Sequence, residues 1–287
     1  MIKFREITAQ TDLAKSPPVK SNGVSFADIN NDGFPDLFIA NRNDTNKLYL
    51  NDGRGKFRDV TDKYFQKKVF LSNGGVFADF DQDGFKDLYL TNVGENILYK
   101  NISGKYFSDV STDMGAEFSG YSTGAAVGDL DNDGNVDIYA ANYLGGSSKV
   151  FLNQNRNKNN IKFKLEGTLS NRDAIGARIY LYIKNKTSGE TLAGFQEISG
   201  GGGYASISAK EAIFPLFPEF NYFALIKFPY LGSEMRIDDL KPGTLIVKEQ
   251  TGLSAFFTHC KKSILRAFKD PEIRREFLKM QSDFSFL

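Results

Sequence analysis

Three short acidic loops carry the residues that could do chemistry. Each reads Asp-x-[Asp/Asn]-x-Asp-Gly-x-x-Asp. The first holds Asp28, Asn30, Asp32, Gly33 and Asp36; the second Asp79, Asp81, Asp83, Gly84 and Asp87; the third Asp129, Asp131, Asp133, Gly134 and Asp137. Alternate side chains at positions one, three and five of a tight loop converge on one point, and glycine at position six permits the sharp turn. The carbonyl at position seven, from Phe34, Phe85 or Asn135, and the carboxylate at position nine offer further oxygens. Calcium takes about six to eight oxygens from a flexible shell of this kind, whereas magnesium keeps its waters and uses few carboxylates. Carboxylates crowded this closely repel one another until a cation joins them. Ca2+ is therefore the expected partner. Loop one has Asn30 where the others have a carboxylate, and it is expected to bind most weakly.

The elements that must position these loops are strands. An EF-hand needs a bidentate Glu at position twelve and helices on either side. Position twelve here is Ile39, Leu90 or Ala140, inside the stretches DLFIAN, DLYLTN and DIYAAN. These are short, rich in aromatic and aliphatic residues and closed by Asn, which is the pattern of strands. The leading aspartates Asp28, Asp79 and Asp129 are 51 and 50 residues apart. Each loop is followed by a second apolar stretch, KLYLN to Asn51, ILYKN to Asn101 and KVFLN to Asn153. KFRDVT at Lys56 and KYFSDVS at Lys105 come next, and KFREIT at Lys3 reads as the same piece, left over from a repeat ahead of the first loop. About four short strands in a period near 50 suit one blade of a β-propeller. The recurring Phe and Tyr residues are read as packing between blades.

Composition removes several function classes. Lys+Arg is 36 and Asp+Glu is 35, a net charge of +1, so bulk charge does not make this a nucleic-acid binder. One Cys and one His exclude an internal disulfide, a Cys-only zinc cage and a multi-His metal site. His259 and Cys260 are adjacent and suit neither a metal motif nor a catalytic dyad. No apolar run is long enough for a transmembrane segment. The start MIKFREITAQTDLA shows no signal-peptide h-region.

The three repeats, with their F-x-D-V-T and N-x-L-Y-x-N phrases, resemble the FG-GAP/VCBS repeats of integrin-α-type propellers, above all those of the cartilage acidic protein family. The resemblance covers about residues 3–153. Downstream, LEGTLSNRDAIGARIYLY from Leu165 and QEISGGGGYASISA from Gln196 resemble the ASPIC/UnbV module that follows such repeats in that family. KFPYLGSEMRIDDLKPGTLIVKE from Lys227 is similar to that module's closing strands. This chain departs from the module at Phe214-Pro215-Leu216-Phe217, and SGETLAG near Gly189 reads as an extra loop.

The expected organisation is mainly all-β. Residues 1–160 form a partial propeller of three blades with three calcium loops, 161–252 a small β domain, and 253–287 a helical tail. Gly200–Gly203 lacks the helix that a phosphate loop needs and is read as a turn. Arg172, Asp173 and Arg178 offer either a recognition site or an internal ion-pair network, the second being the simpler reading. Three sequons, at Asn43, Asn101 and Asn185, match the glycosylation pattern. The function expected is a non-enzymatic calcium-binding repeat protein. The resemblance implies an extracellular or cell-surface location (periplasmic in a bacterium) and adhesion or recognition of a protein or glycan. The alternatives are an enzyme with its site on the propeller face and an assembly piece without a ligand. Propellers close with about four to eight blades. Three repeats cannot, so the chain is read as part of a longer propeller, with self-association through open edges or an arc capped by the second domain as the alternatives.

Overall fold

The computed structural model describes residues 3–250, apart from 145, 156–158, 186–188, 202–204 and 231–232. The described residues are mostly β, with no closed barrel among them. Its first half is three antiparallel blades joined side by side. Blade one is β1 (Lys20–Ala27), β2 (Asp36–Thr45), β3 (Lys47–Asn51) and β4 (Phe57–Asp59), followed by the single-turn helix α1 (Thr61–Tyr64). Blade two is β5 (Val69–Ala78), β6 (Asp87–Asn101) and β7 (Phe107–Asp109). The Asn101 N–H donates to the Asp87 carboxylate, so the chain doubles back within β6, which stands for β2 and β3 together. Blade three is β8 (Phe118–Gly128), β9 (Asp137–Asn142) and β10 (Lys149–Phe151). Blade three has no fourth strand among the described residues.

Neighbouring blades meet through two apolar clusters. Side chains alternate along a strand, so a strand packed on both faces must be apolar throughout. In β6, Leu88 and Leu90 join Phe38 and Leu48 in the cluster between blades one and two. Tyr89, between them in sequence, turns to the cluster with Ile138 and Ala140 of blade three. Phe65 stacks on Phe107 at 4.9 Å and meets Tyr99 at 5.2 Å, which locks the turn after blade one onto blade two. The recurring aromatics are thus packing between blades, as their register implied.

A buried polar ladder runs through the same junctions. The Asn46 amide donates to Ser72 at 3.0 Å, and Ser72 donates to Asn92 at 2.8 Å. Asn96 donates to Ser122 at 2.8 Å in the next blade. These side chains are buried, so each must find a partner or cost stability. The asparagines that open NKLYLN and NILYKN, Asn46 and Asn96, are therefore connectors of blades, a role their sequence position alone did not reveal.

The second half forms two further sheets. β11 (Asn160–Glu166) lies between β14 (Glu211–Pro215) and β17 (Gly243–Lys248), antiparallel to the first and parallel to the second. The other sheet runs β13–β12–β15–β16, from β12 (Arg178–Asn185), β13 (Gly189–Glu197), β15 (Asn221–Lys227) and β16 (Glu234–Ile237). Ile161 and Phe163, Ile179 and Leu181, and Ala224 and Ile226 share one core. This half seats on blade three: the Ala209 N–H donates to the Val127 carbonyl at 2.9 Å, and Ile213 enters the cluster between blades two and three.

Two expectations are corrected. SGETLAG is no extra loop where it is described: Gly189–Glu197 is β13, zipped to β12 from Arg178 to Asn185. KFREIT is not a strand either. Its counterparts β4 and β7 pair with the strand before them in their own blade, and Lys3–Ile7 has no such strand beside it. The helical tail, His259 and Cys260 lie outside the described residues. The repeat geometry sets a test at one position. Phe38→Ala should cost about 3–5 kcal/mol in denaturant unfolding, as for a buried aromatic. Tyr139→Ala, at the matching but exposed site of blade three, should stay within about 0.5 kcal/mol.

Candidate metal sites

Each acidic loop links the innermost strand of its blade to the next and is built from its own carboxylates. The position-four residues Asn31, Gln82 and Asn132 have φ of 59°, 61° and 60°, and the glycines at position six have φ of 87°, 94° and 93°. Gly134 is doubly required, since a Cβ there would lie 2.8 Å from the Asn160 side chain. The position-one carboxylate accepts the glycine N–H, at 2.8 Å for Asp28 and 3.0 Å for Asp79 and Asp129. The position-five carboxylate accepts the position-seven N–H at 2.8–3.0 Å, from Phe34, Phe85 or Asn135. These bonds fix the turn of each loop, but the carboxylates that come together are those at positions one, three and nine, in loops two and three, and not position five.

The position-nine aspartate acts as a clasp. Asp36 accepts the N–H of Ile29 at 3.1 Å and of Asn51 at 2.8 Å, one on each oxygen. Asp87 does the same for Phe80 and Asn101, and Asp137 for Leu130 and Asn153. Each clasp ties the start of the loop to the end of the returning strand. Position nine thus carries a structural duty beside any part in holding an ion.

The carboxylates converge differently in the three loops. Carboxylate oxygens of Asp79, Asp81 and Asp87 lie within 4.8 Å of one another, as do those of Asp129, Asp131 and Asp137. In loop one the Asn30 amide donates to Asp32 at 2.9 Å. Internal ammonium groups enter the other two. Lys100 bonds Asp81 and stands 3.2 Å from Asp83. Lys162 of β11 bonds Asp129, both side chains being buried. The other Asp129 oxygen, Oδ1, is buried with no hydrogen-bond partner. Glu211 of β14 accepts the Asp129 N–H at 3.1 Å, so loop three is built from both halves of the chain.

Lys100, Lys162 and Glu211 escaped sequence reasoning. Lys100 left a trace, because it stands where the other repeats have Leu50 and Leu152, a charge in an apolar column. Lys162 and Glu211 lie outside the repeat and left none.

Burial raises the pKa of the three clasps and of the first two loop starts. It pushes Asp87 up to about 8, opposed by the Asn101 N–H and reinforced by the charges of Asp81 and Asp79. Burial likewise takes Asp36 and Asp79 to about 7 and Asp28 to about 6. Lys100, against the cost of its own burial, is held above its usual range by Asp81 and Asp83.

The other candidates resolve simply. Arg178 pairs with Glu197 at 2.8 Å and Asp173 with Lys210, so these two residues form separate ion pairs. Asn101 is buried and bonded to the carbonyls of Lys86 and Ile29, which closes its sequon to modification. Residues 202–204 of the glycine run lie outside the described residues.

A family model described as an FG-GAP-like repeat matches residues 28–90 and again 79–140. Residues 28–140 carry FG-GAP-like repeats. The chain is also 30% identical over 117 residues to cartilage acidic protein 1 of Xenopus tropicalis, a stretch covering 39% of this chain and 18% of that protein. The family model stops short of residues 161–252. No helix among the described residues is long and apolar enough to cross a membrane.

The clasps set the pH dependence of the metal-free protein. Their folded-state values lie above the ordinary 3.8, so the folded chain holds protons that the unfolded chain has released. Stability is then present at low pH and lost as pH rises through about 6–8. In EDTA the Tm should fall between pH 5 and pH 8, by roughly 2–4 °C for each kcal/mol lost. Asp87→Asn should lower Tm throughout but flatten that slope. A Tm that rises over this range in EDTA would contradict the assignment.

Proposed function

We propose that this chain is a calcium-dependent, non-enzymatic segment of a recognition protein that works outside the cell, its loops holding Ca2+ to stiffen the blades. The observation that carries the reading is Asp129 Oδ1, a carboxylate oxygen buried without a hydrogen-bond partner and set among Asp131 and Asp137. A buried, unsatisfied acceptor is costly, and a hard cation is the partner that suits it. The raised pKa values agree, because an ion would offset the cost of burying the charge.

In this reading loop one uses Asp28, Asn30, Asp32, Asp36 and the Phe34 carbonyl. Loop two uses Asp79, Asp81, Asp83, Asp87 and the Phe85 carbonyl. Loop three uses Asp129, Asp131, Asp133, Asp137 and the Asn135 carbonyl. Loop one, with three carboxylates, is the weakest. The ion neutralises each loop and holds the blade edge in one shape for a protein or glycan ligand. Loops of modest affinity fill at millimolar extracellular calcium. Residues 161–252 serve as an ASPIC/UnbV-like β domain behind the repeats, and 253–287 as a helical tail. The extracellular setting and the recognition role rest on the FG-GAP repeats and the likeness to cartilage acidic protein 1.

The test is a thermal melt in EDTA and across a calcium titration, with magnesium as control. Each site should add about 2.7 kcal/mol at one hundred times its Kd. Asp83→Ala and Asp133→Ala should each remove part of the calcium-specific rise. Lys100→Leu, which restores the residue type of the other repeats, should tighten loop two roughly tenfold, about 1.4 kcal/mol. A melt indifferent to calcium would sink the proposal.

A further inference from the structure

Blade three ends in a face that its two predecessors bury. Ile29 and Phe80 are 0% and 5% exposed, but their counterpart Leu130 is 55% exposed. Phe38 and Tyr89 are 1% and 0% exposed, while Tyr139 is 43% exposed. Leu48 and Leu98 are buried, and Val150 is exposed. In blades one and two these positions are covered by the next blade. The hydrogen bonds of the junction stop at the same place. Asn31 donates to the Gly84 carbonyl and Gln82 to the Gly134 carbonyl, whereas Asn132, next in the series, is exposed.

The start of the chain is the matching half of such a junction. By alignment with KFRDVT, Phe4 matches Phe57 and Phe107, and Thr8 matches Thr61 and Ser111. Phe107 is 5% exposed within blade two, but Phe4 is 97% exposed. Residues 8–16 nonetheless lie on blade one much as α1 and Phe65 lie on blade two: Asp12 accepts the Asp59 N–H at 3.1 Å, and Ser16 meets the Tyr49 hydroxyl at 2.5 Å. Asn101 and Asn153 each donate to a carbonyl of the preceding blade, Ile29 and Phe80. The amide of their counterpart Asn51 donates within its own blade, to the Pro35 carbonyl.

We propose that a second copy of this chain completes the junction, its residues 3–8 adding a fourth strand to β10 and its blade one covering the open face of blade three. The register follows from the two blades that are complete. Tyr49 pairs with Asp59 and Tyr99 with Asp109, which sets Phe151 against Glu6, Leu152 against Arg5 and Asn153 against Phe4. The Leu48 and Leu98 N–H groups donate to the Thr61 and Ser111 hydroxyl oxygens, which sets Thr8 against the Val150 N–H. Asn51 then reaches the Leu130 carbonyl, and Asn132 the Gly33 carbonyl. The addition supplies ladder hydrogen bonds to an unpaired edge, as in other strand-addition complexes. Two copies, each giving and receiving, make six blades, within the range at which propellers close.

Light scattering after size exclusion in millimolar calcium tests this on the full chain. The expected particle has two chains, twice 32.0 kDa. Phe4→Asp and Val150→Asp should each give single chains that keep the far-UV circular dichroism of the parent, since both side chains are exposed in the single chain. Mixed together, the two variants should form a pair again through the one junction that keeps both halves intact. In a Cys260→Ser background, Glu6→Cys with Phe151→Cys should yield a disulfide between chains, because this register position has closely spaced Cβ atoms. A single chain for the parent, a pair that survives both aspartates, or a disulfide formed within one chain would overturn the proposal.

Discussion

Everything in the first half hangs on a carboxylate that bridges two backbone N–H groups. Asp36, Asp87 and Asp137 each hold the start of an acidic loop against the end of the strand that returns past it. Without that bridge the loop would have no fixed relation to its blade. The bridge also demands burial, and burial raises the cost of the negative charge. The same aspartate therefore shapes the loop and raises its electrostatic cost, so that one constraint links fold and pH response.

The blades communicate through polar groups as much as through apolar ones. Aromatic packing between neighbours is tolerant of detail, whereas buried amides are not, since each must meet its partner at hydrogen-bond distance. Asn46, Ser72, Asn92, Asn96 and Ser122 set the offset between successive blades, and Asn101 and Asn153 tie each loop to the one before it. Rigidity at the loop face then passes from blade to blade. The second half joins this chain of contacts at loop three, where Lys162 and Glu211 meet Asp129.

Lys100 and Lys162 show two answers to one problem. A buried carboxylate cluster can be neutralised by a bound ion or by a tethered ammonium. Loop two has its ammonium from within the repeat, and loop three borrows one from β11. The calcium proposed for either loop would have to share the carboxylates with a lysine.

The sequence by itself determined what recurs. The period, the acidic loops, the strand character of DLFIAN, DLYLTN and DIYAAN, and the absence of EF-hand geometry all follow from residue type and spacing, because alternation and tight turns are local properties. It erred or fell silent where an outcome depends on a neighbour distant in sequence. KFREIT carries the pattern of a strand but has no strand beside it. SGETLAG looked like an insertion until β12 offered it an edge. The connecting role of Asn96, the entry of Lys162 into loop three and the exposure of Tyr139 beside its buried counterparts were decided only by the tertiary structure. A residue's type states what it can bond or bury, but which group stands opposite it is settled by packing.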